Sequence, residues 1–186
     1  MATNAGPAPS GEGPGPGHVI FLGGPIASGK TTVARALVPL LAGRVTAIEG
    51  DEFWRFIARS DRTRREDFHV LLRSMTAAAL PWARTGFTVL LDFSTPPHFL
   101  PVARKILREV AMDYVVLDPG PAVCAQRGAR RTEGRIADDA GGHAEFHALF
   151  RNPLALRHAV EEGADAAETA QRIAHGLASG RFRVVD

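Results

Sequence analysis

The stretch "HVIFLGGPIASGKTTVARAL", residues 18–37, decides the fold. It opens on "HVIFLG", a short continuous apolar run of the kind that forms a strand buried on both faces. Gly24-Pro25-Ile26-Ala27-Ser28-Gly29 follows, then Lys30, Thr31 and Thr32. From about Gly29 the apolar residues Val33, Leu37 and Leu40/Leu41 recur at helical spacing towards Gly43, with Pro39 placed to kink the helix.

Gly-x-x-x-x-Gly-Lys-Thr between a strand and a helix is the P-loop pattern in its confirming context. The glycines let the backbone bend so that successive N–H groups face phosphate oxygens, and the new helix adds its positive end. Residues 24–32 are therefore expected to hold the phosphates of a nucleotide. Lys30 is placed to reach the β- and γ-phosphates, and the Thr31 hydroxyl to ligate Mg²⁺. Lysine is scarce here: only Lys30 and Lys105 occur, against many arginines. Its presence in the loop suggests a position that needs a compact ammonium.

Outward from the loop, apolar runs alternate with helical patterns. "RVTAIEG" (44–50), "FTVLLDF" (87–93) and "MDYVVLD" (112–118) read as further strands, and "LRHAVEEG" can hold a short last one. Helical patterns cover "DEFWRFIAR", "EDFHVLLRSMTAAALPWAR", "PPHFLPVARKILREVA", "PAVCAQRGARR" and "DAAETAQRIAHGLASG", the last with Asp165 as N-cap and Glu168 three residues on. The polar segment 128–145 reads as a mobile excursion. This alternation implies an α/β domain with a parallel sheet covered on both faces, whose ligands bind beyond the carboxyl ends of the strands. The residues just after each run, Gly24 to Thr31, Asp51, Asp92 and Asp118, are the informative ones.

Composition bounds the rest. With 186 residues, 45% hydrophobic and 23% charged, the chain reads as one soluble domain over 18–186, behind a Gly/Pro-rich tail (1–17) expected to be disordered. No apolar segment is long enough for a membrane span, and the N-terminus lacks a secretory pattern. The single cysteine, Cys124, excludes an internal disulfide framework and suits a reducing cytoplasm; within its helical stripe it reads as a core residue. Net charge is +2, and the arginines cluster at "RSDRTRR" (59–65) and "RGARRTEGR" (127–135) without forming one basic face. Nucleic acid is thus an admissible partner but not a demanded one.

Asp51, after the strand at 44–50, is placed to accept a proton from an attacking hydroxyl or to hold Mg²⁺ through water; it can equally cap a helix starting at Glu52. Asp92 has the place of a second acid that positions Mg²⁺ or substrate, or else caps the turn "DFSTPP". Arg127 and Arg131 lie one helical turn apart and fit a lid that stabilises the transferred charge and excludes water, the alternative being a solvated loop. Phe53, Trp54 and Phe56 either line an acceptor pocket or pack beneath it. His98 either touches the acceptor or sits on a surface loop. His143 and His147, at i and i+4, have chelating spacing but lack the zinc-protease order, and read as incidental. There is no Asn-Lys-x-Asp guanine-reading motif, which argues against a GTPase switch.

On "GGPIASGKTT", "IEGDEFW", "GFTVLLDF", "CAQRGARR" and "DAAETAQRI" the chain resembles the small P-loop kinases of the chloramphenicol phosphotransferase and zeta-toxin type, close to shikimate and gluconate kinases. The resemblance covers most of residues 18–178. It implies a five-stranded parallel sheet of order 2-3-1-4-5 and phosphoryl transfer from ATP to a hydroxyl. It also implies a carboxylate base at the position of Asp51 and lid arginines at Arg127 and Arg131. The leading expectation is a kinase acting on a small-molecule hydroxyl acceptor. A nucleoside, nucleotide or polynucleotide-end kinase and a nucleotide-dependent regulatory ATPase remain as alternatives.

Overall fold

The computed structural model describes residues 17–59, 65–129 and 140–185, with backbone alone for 140–143. Residues 1–16 of the tail, most of the 59–65 arginine cluster, and Arg131 lie outside the described residues.

Five strands, β1 (His18–Gly23), β2 (Arg44–Glu49), β3 (Phe87–Asp92), β4 (Ala111–Leu117) and β5 (Ala159–Val160), pair in parallel in the order β2-β3-β1-β4-β5. This is the α/β architecture and strand order expected. The helices are α1 (Lys30–Leu37), α2 (Arg65–Arg84), α3 (Leu100–Leu107), α4 (Pro121–Ala129), α5 (Ala140–Ala148), α6 (Pro153–Arg157) and α7 (Ala166–Ala178). Among the described residues no helix is long and apolar enough to cross a membrane.

The central strands read as unbroken apolar runs because both faces are covered. Val19, Phe21, Val89, Leu91, Met112 and Tyr114 point to one face, against Leu71, Leu72 and Met75 of α2 and Leu100, Ala103 and Leu107 of α3. Ile20, Leu22, Leu90, Val115 and Leu117 point to the other, against Val33 and Leu37 of α1 and Ala170 and Ile173 of α7. Edge strand β2 is more exposed. β5 supplies only two residues, and the C-terminal segment completes its role beside the first half of β4. The Tyr114 N–H donates to Phe182 O (2.9 Å) and the Val184 N–H to Met112 O (2.9 Å). Phe182 is fully buried in the α1/α7 face.

Four local expectations are corrected. Pro39 does not kink α1; the α-helix stops at Leu37, and Val38–Leu40 forms a 3₁₀ turn with Pro39 in its first turn, where the missing N–H costs nothing. "DEFWRF" belongs to a 3₁₀ helix, Gly50–Phe56, instead of an α-helix. Asp51 lies inside that turn, so it does not cap a helix starting at Glu52. The excursion at 128–145 is not irregular throughout, since its last part, from Ala140, is the start of α5. Two glycines hide that helix in the sequence; Phe146 within it and Phe150 just after it pack on the α2/α3 face.

Candidate functional site

Register places the strand ends side by side. Leu22 of β1 and Glu49 of β2 both lie opposite Asp92, so the exits towards Gly24 and Asp51 flank the Asp92 carboxyl. The loop from Gly24 to Gly29 then turns tightly. At Gly24 φ is +140°, and a Cβ there would stand 2.4 Å from Leu117 O, so only glycine fits. Gly29 (φ +97°) occupies the N-cap of α1, where no side chain competes for the first N–H groups. Pro25 and Ile26 make the outer bend, closed by a bond from the Ser28 N–H to Pro25 O (3.2 Å).

Lys30 is buried and its Nζ donates to Pro25 O (2.9 Å), Gly24 O (3.3 Å) and Ser28 Oγ (3.5 Å). The ammonium therefore stands in the mouth of the loop. Thr31, half-buried, donates its hydroxyl to the Asp92 carboxyl, while Thr32 is exposed. Asp92 is 7% exposed. Burial pushes its carboxyl above the ordinary carboxylate range, against the pull of the Thr31 hydroxyl and Lys30; the nearby Asp51 charge pushes the same way as burial. Asp51 itself is exposed. Thus Lys30, Thr31 and Asp51 all lie close enough to act on the Asp92 carboxyl.

Arg127 reaches the loop from α4. Its Nη1 donates to Ser28 O (2.9 Å) and its Nη2 lies 3.5 Å from Glu162 Oε2, on the segment between β5 and α7. Cys124, one turn earlier, is buried as expected of a core residue, and burial pushes its thiol up.

On the opposite flank Phe53 and Trp54 pack against the core, whereas Phe56 is 78% exposed, edge-on to Phe53 (5.3 Å between centroids). Phe93, next to Asp92, fills the space over Gly50, where a Cβ would stand 2.5 Å from its ring. Phe93 also meets Phe68 of α2 (5.6 Å), which meets Phe146 of α5 (5.9 Å). His98 is exposed and its ring lies 6.3 Å from that of His69.

His147 is buried and faces Asp118 (Nε2 to Oδ1, 3.6 Å), as does Arg151 (Nε to Oδ2, 3.4 Å). Here His147 ties α5 to the end of β4. Among the described residues no three His, Cys, Asp or Glu side chains form a metal cluster. Glu162 and Arg151 escaped the sequence reading because their partners are 35 and 33 positions away and no local pattern marks them.

The fold is shared with several solved kinases. An APS kinase from Mycobacterium tuberculosis, in complex with AMPPNP and APS, superposes with a TM-score of 0.66 at 20% identity, over 89% of this chain and 99% of that one. A sugar kinase from Janibacter sp. gives 0.65 at 22%, over 88% and 95%. Shikimate kinase from Acinetobacter baumannii, in complex with shikimate, gives 0.59 at 22%, over 88% and 94%. At these identities the likeness is one of fold, that of P-loop kinases. No curated protein matches by sequence. The AAA_33 family, an AAA domain, matches residues 19–153, well over half of the chain. With its P-loop, parallel sheet and strand order as described, the chain belongs to the AAA_33 family.

Proposed function

We propose that the protein is an ATP- and Mg²⁺-dependent phosphotransferase that moves the γ-phosphoryl group to a hydroxyl of a small molecule. The observation that carries this reading is the meeting of Lys30, the Thr31–Asp92 hydrogen bond and the Asp51 charge at adjoining strand ends. A hydroxyl and a carboxylate, both hard oxygen donors, fit a Mg²⁺ ion that keeps most of its water, with Asp51 reaching it through water. A Mg²⁺ ion held by these residues would supply charge neutralisation to the phosphates.

This chain's own groups do the rest. Loop N–H groups and Lys30 orient the phosphates. Asp51 takes the proton of the acceptor hydroxyl as its oxygen bonds to phosphorus and the bridging oxygen departs with ADP. Arg127 contributes positive charge over the loop, and Arg131 is assigned the same charge-stabilising role.

Turnover across sugars, nucleosides and hydroxylated antibiotics, read by mass spectrometry, tests the reading. Asp51→Ala is expected to lower kcat about a hundredfold or more with nucleotide affinity retained. Asp92→Asn is expected to lower turnover, yet leave the fold as stable or more so, because a buried carboxylate is replaced by a neutral group that still accepts the Thr31 hydroxyl. An Asp51→Ala protein with undiminished kcat would remove Asp51 as base. Salt-sensitive phosphorylation confined to 5′-hydroxyl ends of oligonucleotides would favour the polynucleotide reading, and slow hydrolysis with no phosphorylated product a regulatory module.

A further inference from the structure

The first half of α2 carries Arg65, His69 and Arg73, spaced i, i+4, i+8, so they form one stripe. That stripe lines a groove of about 480 Å³, together with Glu66 and Val70. Val70 is 60% exposed within it. From across the groove's end comes His98, whose ring faces His69 at 6.3 Å. Three cationic or protonatable groups of α2 thus line one open space, with Glu66 the single carboxylate among the described lining residues, and His98 approaches it from a second element through His69. None of the four forms an ion pair with a described residue.

The convergence is unfavourable as it stands. Burial, then His69, then Arg65 push the His98 imidazole below its ordinary range, so the neighbouring charges resist its protonation. An anion seated between them would reverse that repulsion and accept charge-assisted hydrogen bonds from both arginines and both imidazoles.

The helix that carries the stripe packs beside the proposed chemistry. Phe68, beside His69 in sequence, packs on Phe93, which sits next to Asp92 and over Gly50, the residue before Asp51. His98 lies six residues beyond Asp92 on the same connection. α2 covers the sheet face opposite to that of α1, so the stripe lies on the acceptor flank, away from the helix that follows the phosphate loop.

We propose that the Arg65–His69–Arg73 stripe and His98 bind an anionic group, carboxylate or phosphate, carried by the acceptor, so that the substrate is an acidic hydroxy compound. This rests on the phosphotransferase reading only in naming the ligand an acceptor; anion binding itself stands apart from turnover.

The test uses the full chain and two readouts. First, imidazole resonances of His69 and His98 are followed by NMR while malonate or inorganic phosphate is added at constant ionic strength. Saturable shifts of both rings are expected, about tenfold weaker in the double variant Arg65→Gln/Arg73→Gln and unchanged at these rings in Lys30→Met, which removes the phosphate loop's own anion contact. A response to malonate marks a carboxylate site, and one to phosphate alone a phosphate site. No saturable shift, equal binding by the double variant, or a response to oligonucleotides but to neither small anion would each overturn the proposal.

Second, acceptors sharing one carbon skeleton are compared: a hexose, its aldonate and its 6-phosphate. Preference for a charged member, with KM raised in the double variant and kcat little changed, supports the site. Transfer to the neutral hexose alone, indifferent to the double variant, would discard the site and leave the kinase standing. Anion binding without transfer to any acceptor would discard the kinase and leave the site.

Discussion

Ala27 holds a backbone conformation that glycine normally supplies, with φ at +63° in the middle of the phosphate loop. An L-residue there costs about 1–2 kcal/mol, and this one is retained with its methyl group buried, facing Gly128 of α4. The loop and α4 are therefore fitted to one another at this methyl. Ala27→Gly would release the strain but lose about 0.8 kcal/mol of methyl burial and about 0.4–1 kcal/mol through a more mobile unfolded chain, so little net change is expected. Ala27→Val adds branching at a left-handed position and pushes on α4, which carries Arg127 to Ser28 O. A loss of about 2–3 kcal/mol in urea unfolding is expected, together with weaker nucleotide binding. Unimpaired nucleotide affinity in that variant would show that α4 is not seated by the loop. The contrast with Arg127 explains what was legible at this scale. Gly24 to Thr31 carry their roles in local spacing, so eight consecutive letters suffice. The Arg127–Glu162 contact depends on two chain segments meeting through the sheet, which no window of sequence contains.

Elements were legible in proportion to how fully their burial is imposed by neighbours in the chain. β1, β3 and β4 are covered on both faces and announce themselves as apolar runs. α5 was hidden because glycines near its start contradict its intrinsic preference and tertiary packing of Phe146 and Phe150 outweighs it. The C-terminal segment was hidden for a related reason: its partner is β4, some seventy residues earlier. Asp113, in the apolar run "MDYVVLD", is 1% exposed, receives Arg183 Nε at 3.1 Å and lies 3.8 Å from His18 Nε2. Phe182 fills the space beside Gly176, where an added Cβ would stand 2.3 Å from its ring. Removing residues 181–186 would therefore empty a phenyl-sized site, leave Asp113 with His18 alone and strip the backbone bonds at Tyr114 and Met112. A loss of at least about 3–5 kcal/mol is expected, from the cavity alone, with the orphaned carboxylate adding to it. Equilibrium urea unfolding checks this. A truncated chain with unchanged midpoint would mean that the segment is not docked in solution.

At the scale of the whole molecule the sheet separates two tasks. α1 and α7 lie on the face that continues from the phosphate loop, while α2, α3 and α5 cover the face that leads to the proposed acceptor. The order β2-β3-β1-β4-β5 followed from the family resemblance, since local patterns reveal strands and not which strand lies beside which. On the proposed acceptor flank His98 was legible as a candidate from its place after Asp92, whereas His69 and Arg73 were not, because α2 and the connection after β3 are brought together only by packing. The same topology buries His158 and half-buries His18, and this gives the molecule a pH dependence whose sign can be worked out. His18, at the foot of β1, and His158, packed edge-on to Tyr114 at 5.5 Å, are both pushed below the ordinary imidazole range chiefly by burial, against the pull of Asp113. Unfolded, each takes up a proton near pH 6.5. Folded, each resists until lower pH, so from about pH 6.5 down to that point the unfolded chain binds more protons and stability falls as pH falls. Asp92 acts in the opposite sense. Its carboxyl is raised by burial, so the folded chain holds a proton that the unfolded chain has lost, and this favours the fold as pH drops towards the ordinary carboxylate range near 3.8. The two effects occupy different windows, histidine from about pH 6.5 downward and Asp92 nearer the carboxylate range. Between pH 7.5 and 5.5 the histidines should dominate. The urea midpoint is therefore expected to fall across that interval in the native chain and to fall less in a His18→Gln/His158→Gln variant, whose side chains cannot be protonated. A midpoint that rises from pH 7.5 to 5.5 would show that groups other than these two control the acid response.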